Sequence, residues 1–290
     1  MSFRYNFRIS GLLFRVESSR ELKIPECFKA FLTNDIPARE ADILIEIYFK
    51  TKSFENGVQE LVPNVFLLNE QIFVRYLWRG EKYIIRKDSV GRGDPCQIFI
   101  PKEFAEEFCK NGNWLNYLAF ERMIVPFNRF LIHASAVIYE GKAYVFTAKS
   151  GGGKSTHAGI WEKCFGAKIL NGDKVLIELR ENGAVAHGSP VAGSSGIYSN
   201  DSAPIAAVFL LKKSLSNQIV PMSGRAAFLT LYGEAIKSVW DTQFNICILE
   251  MAELLQKHSP MYLLECIPDK TSVECVLKKQ GEIIARRRDV

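Results

Sequence analysis

The residues from Tyr144 to Trp161 read YVFTAKSGGGKSTHAGIW: an apolar run, three consecutive glycines, then Lys-Ser-Thr. That order is a strand, a glycine-rich loop and a helix start, and the chemistry it suits is phosphate binding. Glycines let successive backbone N–H groups turn inward on phosphate oxygens, and the helix adds the positive end of its dipole. In the GxxxxGK[ST] pattern the lysine, here Lys154, reaches the β and γ phosphates, and the following hydroxyl, Ser155, ligates magnesium. The first glycine of the pattern falls on Ala148, whereas Ser150, Gly151, Gly152, Gly153 and Thr156 keep the rest of the loop. The expected ligand is ATP or another nucleoside triphosphate with Mg2+.

A phosphate loop needs a carboxylate to organise the metal or accept a proton, and Asp173 in Lys168-Ile169-Leu170-Asn171-Gly172-Asp173-Lys174 is the candidate. The competing reading is a turn aspartate, because Asn-Gly is a strong hairpin signal. His157 falls on the first turn after the loop, where a surface or packing role outweighs catalysis. His133 precedes an apolar strand and by itself reads as structural. The segment Gly188 to Tyr198 is rich in small residues and hydroxyls. Ser194, Ser195 and Tyr198 could there hydrogen-bond an alcohol-bearing acceptor, the alternative being a plain surface loop.

These residues must be held by an α/β layer. After Arg129 short apolar runs alternate with helical patterns. Strands are expected at Ala134–Tyr139, Ala143–Thr147, Lys168–Leu170, Val175–Leu179, Val185–His187, Ala206–Leu211 and Met261–Glu265. Helices are expected at Arg225–Leu231, at Glu234–Lys257 and from about Asp269. Before that, alternation such as Ile43, Ile45, Ile47 and Ile72, Val74, Tyr76 predicts β-structure, with turns at Asn56-Gly57, at Arg79-Gly80-Glu81 and around Gly91 to Pro95. Phe104, Phe108, Leu115, Leu118 and Met123 recur at near-helical spacing, interrupted by Asn111-Gly112-Asn113 and stopped at Pro126, and predict two linking helices. The expected division is a β-rich N-terminal domain at 1–100, linking helices at 101–129, a catalytic domain at 130–280 and a basic tail at 281–290.

Composition narrows the class. The chain has 290 residues, 48% hydrophobic and 24% charged, which excludes a disordered or low-complexity polymer. Of the net charge of +5, the stretch Lys278–Val290 carries +3, so the body is near neutral, and no basic stripe interleaved with aromatics speaks for nucleic acid. Seven scattered cysteines without a CxxC pair read as reduced thiols and give no zinc site. With no leader-like apolar block and no run of about 20 apolar residues, the expected setting is cytoplasmic, away from the membrane.

Taken together, Ile132-His133-Ala134-Ser135-Ala136-Val137, the Ser150–Thr156 loop, Asp173 and Gly188-Ser189-Pro190 resemble the catalytic domain of HPr kinase/phosphorylase. They are similar, too, to its relatives among serine and peptide kinases and more distantly to ATP-dependent phosphoenolpyruvate carboxykinase. The resemblance spans about 130–215. It implies a P-loop core of the HPr-kinase/PEP-carboxykinase type, with His133 beside the phosphoryl-transfer site and Asp173 as the second of a family Asp-Asp pair. The first aspartate is Gly172 here, so one carboxylate must serve both metal and proton or leave one task to another residue. The family's ring assembly raises self-association as an expectation.

The leading expectation is a kinase that moves the γ-phosphoryl group of Mg·ATP to a hydroxyl, with Lys154, Asp173 and His133 as catalytic residues. Two rivals stay open: a nucleotide-gated, non-catalytic peptide- or protein-binding module, and a carboxykinase-like lyase.

Overall fold

The computed structural model describes residues 3–34, 41–54, 57–78, 80, 82–89, 91–191, 193, 196–238 and 240–288, with backbone alone at 113, 280 and 282–288. The fold is mixed α/β with two large sheets. Contacts divide the chain into two compact units, Met1–Phe127 with Val239–Asp241, and Asn128–Ser238 with Thr242–Val290.

The first unit carries β1 (Phe3–Ile9), β2 (Leu12–Ser18), α1 (Glu26–Lys29), β3 (Ile43–Tyr48), β4 (Gln59–Val62), β5 (Val65–Leu68), β6 (Gln71–Trp78), β7 (Lys82–Lys87) and β8 (Cys96–Phe99). These strands form one sheet in the order β1-β2-β3-β8-β7-β6-β5-β4. The period-2 pattern does what it promises in β3, where Ile43, Ile45 and Ile47 are buried and Leu44, Glu46 and Tyr48 only partly so. Asn56, Arg79 and Glu81, from the expected turns, lie outside the described residues.

The two linking helices are replaced by shorter pieces: α2 (Ala105–Asn111), α3 (Phe120–Ile124) and 3-10 turns at Lys102–Phe104, Asn113–Tyr117 and Val125–Phe127. Gly112, at φ +69°, ends α2 with a left-handed cap, so the periodic apolar residues belong to successive turns rather than one continuous face. This segment counts with the first unit. It buries its aromatics there: Trp114 tilts against Phe7 and Phe28, and Phe120 stacks on Phe14.

The second unit runs β9 (Arg129–Tyr139), β10 (Lys142–Thr147), α4 (Lys154–Phe165), β11 (Lys168–Asn171), β12 (Lys174–Arg180), β13 (Gly183–His187), β14 (Ser202–Lys213), β15 (Gln218–Met222), α5 (Gly224–Glu234), α6 (Thr242–His258), β16 (Met261–Cys266) and α7 (Lys270–Arg288). Two long strands are shared between two layers. The first half of β9 pairs with β12, and its second half lies between β10 and β11. Likewise the start of β14 pairs with β13, while its later part runs parallel to both β10 and β16. Strand β10, which leads into the glycine loop, therefore sits between β9 and β14, with β14 and β16 running in its own direction.

Three expectations are corrected. The break between the two expected helices lies further on: α5 runs to Glu234, and the helix expected at Glu234–Lys257 starts only at Thr242. Between them the Ala235 amide still caps α5 on the Leu231 carbonyl, whereas Ala235 bridges to Ile132 and the amide of Ile236 donates to the Leu131 carbonyl of β9. Lys237 closes α5 by donating to the carbonyls of Tyr232, Gly233 and Ala235. Second, β15 was absent from the expected strands. It is an edge strand paired with β16 alone, which tolerates its Pro221. Third, the basic tail is no separate segment, because α7 continues to Arg288. The single Gly281 costs a helix only about 1 kcal/mol, too little to stop one built from good helix formers. No helix of the described residues is long and apolar enough to cross a membrane.

Candidate functional site

The loop between β10 and α4 begins where an apolar strand leaves the core. Tyr144 and Phe146 of β10 pack on the fully buried Trp161 of α4, and Tyr139 and Phe165 close around the same indole. That cluster fixes the angle between strand and helix, and hence the loop. Gly151 (φ +72°) and Gly153 (φ +97°) adopt the left-handed backbone that a side chain resists. A Cβ at Gly152 would stand 2.5 Å from the Ala148 Cβ and 2.8 Å from the Lys149 carbonyl oxygen, so the loop's own path requires glycine there. The Gly152 amide donates to Lys149, and the His157 amide to Gly153.

Two buried hydroxyls pin this loop to its strands. Ser135 of β9 donates to the Lys154 carbonyl at 2.9 Å, and Thr147 donates to the His133 carbonyl at 3.1 Å. Neither role was singled out from the sequence. Buried hydroxyls within otherwise apolar strands are the signal that could have found them.

Asp173 sits between β11 and β12, and its surroundings correct the hairpin alternative. Strands β11 and β12 both pair antiparallel with β9, at Ala136–Ile138 and at Arg129–His133 respectively. The chain thus passes from one layer to the other at Gly172-Asp173 without reversing. Asn171, fully buried, shapes this kink. Its Oδ1 accepts from the amides of Asp173 and Lys174, each at 2.8 Å. Its Nδ2 donates to the carbonyls of Ser189 and Val191 at 3.2 and 3.3 Å. The Asp173 carboxylate makes no hydrogen bond or ion pair among the described residues, and Gly193 lies against it so closely that a Cβ there would stand 2.0 Å from Oδ2.

A cavity of about 530 Å³ gathers these groups. It is lined by the whole stretch Ser150–His157, by Gly172 and Asp173, and on its far side by Ile160, Leu211, Lys213, Ser214, Cys266 and Pro268. The far wall comes from the carboxyl ends of β14 and β16, where open α/β sheets place ligands. Lys154 donates from Nζ to the Ala148 carbonyl at 2.9 Å, and Ser155 donates to the Gly172 carbonyl at 3.3 Å. The loop and the Asp173 kink, separated in sequence by a helix and a strand, therefore face one space.

His133 pairs in register with Lys174, beside Asp173, but does not line the cavity. Partial burial lowers its pKa, with the Asp173 carboxylate pulling the other way, so near neutral pH the imidazole is mostly uncharged. His157 is buried, and burial pushes its pKa down to about 4. Tyr198 bridges the backbone of Asn171 and is not a cavity residue either. Ser194 and Ser195 lie outside the described residues.

A divalent cation fits the donor set in one way. Among the described residues no three His, Cys, Asp or Glu side chains converge to form a metal cluster. Ser155 and Asp173 supply one hydroxyl and one carboxylate to the cavity. That is the sparse set Mg2+ accepts when phosphates and water complete its shell.

No protein-family model matches the chain. No curated protein matches it either. Among solved structures it is similar to the HPr(Ser) kinase/phosphatase from Coxiella burnetii, at 11% identity, over 53% of this chain and 98% of that one, with a TM-score of 0.34. At that score the likeness is weak, and the functional reading below rests on the residues of the site.

Proposed function

We propose that the second unit is a phosphotransferase domain that binds a nucleoside triphosphate with Mg2+ and transfers its γ-phosphoryl group to a hydroxyl acceptor, in the manner of HPr-kinase-like proteins. One observation carries this reading: Lys154, Ser155 and Asp173 line the same cavity as a glycine loop in which Gly151 and Gly153 take the left-handed backbone.

In this reading the amides of the Ser150–Thr156 loop and the start of α4 receive the phosphate chain, and Lys154 swings from Ala148 to the β and γ oxygens. The apolar wall of Ile160, Leu211 and Pro268 takes the base. Ser155 and Asp173 hold the metal, which neutralises phosphate charge when bound. Asp173 accepts the proton of the attacking hydroxyl, its carboxylate having no competing partner among the described residues. A neutral His133 beside it supplies a hydrogen-bonding group at the edge of the site. Because Gly172 contributes only a backbone carbonyl, metal and proton duties fall on one carboxylate.

Calorimetry with Mg·ATP and a phosphorylation screen of metabolites, peptides and proteins test this. Binding weakened about 10- to 100-fold in Lys154→Ala, with transfer slowed about 10²- to 10⁴-fold in Asp173→Asn, supports the kinase. Absence of binding in the intact protein removes it. Tight binding with no turnover on any acceptor would favour the nucleotide-gated module, to which Gly172 also points.

A further inference from the structure

The buried amide of Asn171 spans two pieces of backbone that do different jobs. On one side its Oδ1 takes both amides that set the direction of Asp173 and Lys174. On the other its Nδ2 holds the carbonyls of Ser189 and Val191, which open the loop leading to Tyr198. Further contacts tie the same two pieces together. The Gly172 amide donates to the Ile197 carbonyl, Asn171 bridges to Tyr198, and Ser199 donates to the Leu170 carbonyl. Ser189, itself fully buried, donates to the Lys174 carbonyl at 2.9 Å. Gly193 then lies directly on the Asp173 carboxylate.

Only a primary amide offers an acceptor and two donors on a planar head of this size, so the sequence spends an asparagine where the helix or strand interior would favour an apolar residue. A buried polar group that is fully paired on both sides fixes one arrangement of its partners, since breaking any bond leaves an unpaired group in a dry environment. We propose that Asn171 is a positioning residue: it latches Ser189 and Val191 to the Asp173 kink, so that Gly193 and the Asp173 carboxylate stay in one geometry. This rests on the phosphotransferase reading above. Asn171 acts through Asp173 and touches no substrate itself.

The test compares wild type with Asn171→Ala, Asn171→Asp and Gly193→Ala. Asn171→Asp keeps the acceptor for the two amides and loses the donors to the loop, and Gly193→Ala drives a methyl group into Asp173 Oδ2. Three quantities are read: the Kd for Mg·ATP by calorimetry, the kcat for Mg·ATP hydrolysis with water as acceptor, and amide hydrogen exchange at Asp173 and Lys174 without nucleotide. The latch predicts a Kd within about twofold of wild type in all three variants, and kcat lowered at least about tenfold. Exchange at the two amides should be faster in Asn171→Ala and still protected in Asn171→Asp. An unchanged kcat in both Asn171→Asp and Gly193→Ala overturns the proposal, as does a Kd that worsens in step with kcat and Tm, which is what a merely structural residue would give. If Asn171→Ala does not fold, Asn171→Asp and Gly193→Ala still decide. If the wild type binds no Mg·ATP, the phosphotransferase reading fails, and the exchange pattern alone upholds or sinks the latch.

Discussion

Trp161 donates its indole N–H to Nε2 of His157 across one turn of α4, at 3.2 Å. Nε2 must then be an acceptor, so the imidazole proton is on Nδ1, which faces the Ser272 hydroxyl at 3.4 Å, while Ser272 donates onward to the Asp269 carbonyl. A protonated ring would set two donors against each other in a buried place.

This makes the second unit's stability depend on pH. Burial lowers the His157 pKa from 6.5 to about 4, so between those values the unfolded chain binds a proton that the folded one refuses. Stability contributed by the neutral ring is full above pH 6.5, falls as the pH drops, and is lost by about pH 4, an effect of about 3 kcal/mol. Urea melts at pH 7 and pH 4.5 should show wild type losing about 2 kcal/mol more than His157→Gln across that window. Equal losses would exclude His157 as the source.

Lys154 is only partly buried and its one hydrogen bond is to the Ala148 carbonyl. Lys154→Ala should leave Tm nearly unchanged and weaken Mg·ATP about 10- to 100-fold, the loss of one charge-assisted contact. Titration calorimetry checks it, and an unaltered Kd would show that the lysine faces no phosphate.

Gly152 has no room for a methyl group, which would meet both Ala148 and the Lys149 carbonyl. Gly152→Ala should cost about 1–3 kcal/mol by overpacking and abolish measurable nucleotide binding through a displaced loop. Gly159, on the helix with nothing near its absent side chain, is the control: Gly159→Ala should bind as wild type. Melting and binding measured together separate distortion of the loop from general unfolding.

Asp173→Asn keeps the shape of the side chain and removes its charge and basicity. Turnover should fall about 10²- to 10⁴-fold, the usual contribution of a positioned base, with the Mg·ATP Kd within about fivefold. Single-turnover kinetics at saturating Mg·ATP reads this, and a rate within threefold of wild type would transfer the proton to another group.

Much of the site's first half is written locally. Three glycines before Lys154-Ser155-Thr156 demand a loop of left-handed residues between a strand and a helix, and β10 and α4 lie there. Hydrophobic period placed the seven expected strands of the second unit within a few residues, although β9 and β14 extend past the reading at their starts. The late start of α6 was hidden because the Ile236 amide finds its acceptor on β9, at the Leu131 carbonyl, a partner about a hundred residues away. The α2–α3 region misled in another way: past the expected break at Gly112 the apolar spacing looked helical, but the chain there forms 3-10 turns around a five-residue α3.

By itself, then, the sequence determined a glycine-rich loop between a strand and a helix, the alternation of strands and helices, and a lone aspartate downstream, because these depend on backbone preferences and side-chain period over a few residues. Tertiary structure decided that Asp173 faces the loop, that the Asn171 side chain bonds both the Asp173 kink and Ser189 with Val191, and that β9 and β14 serve two layers. Those outcomes depend on pairings between strands distant in the chain, where each buried polar group finds the partner that packing brings to it.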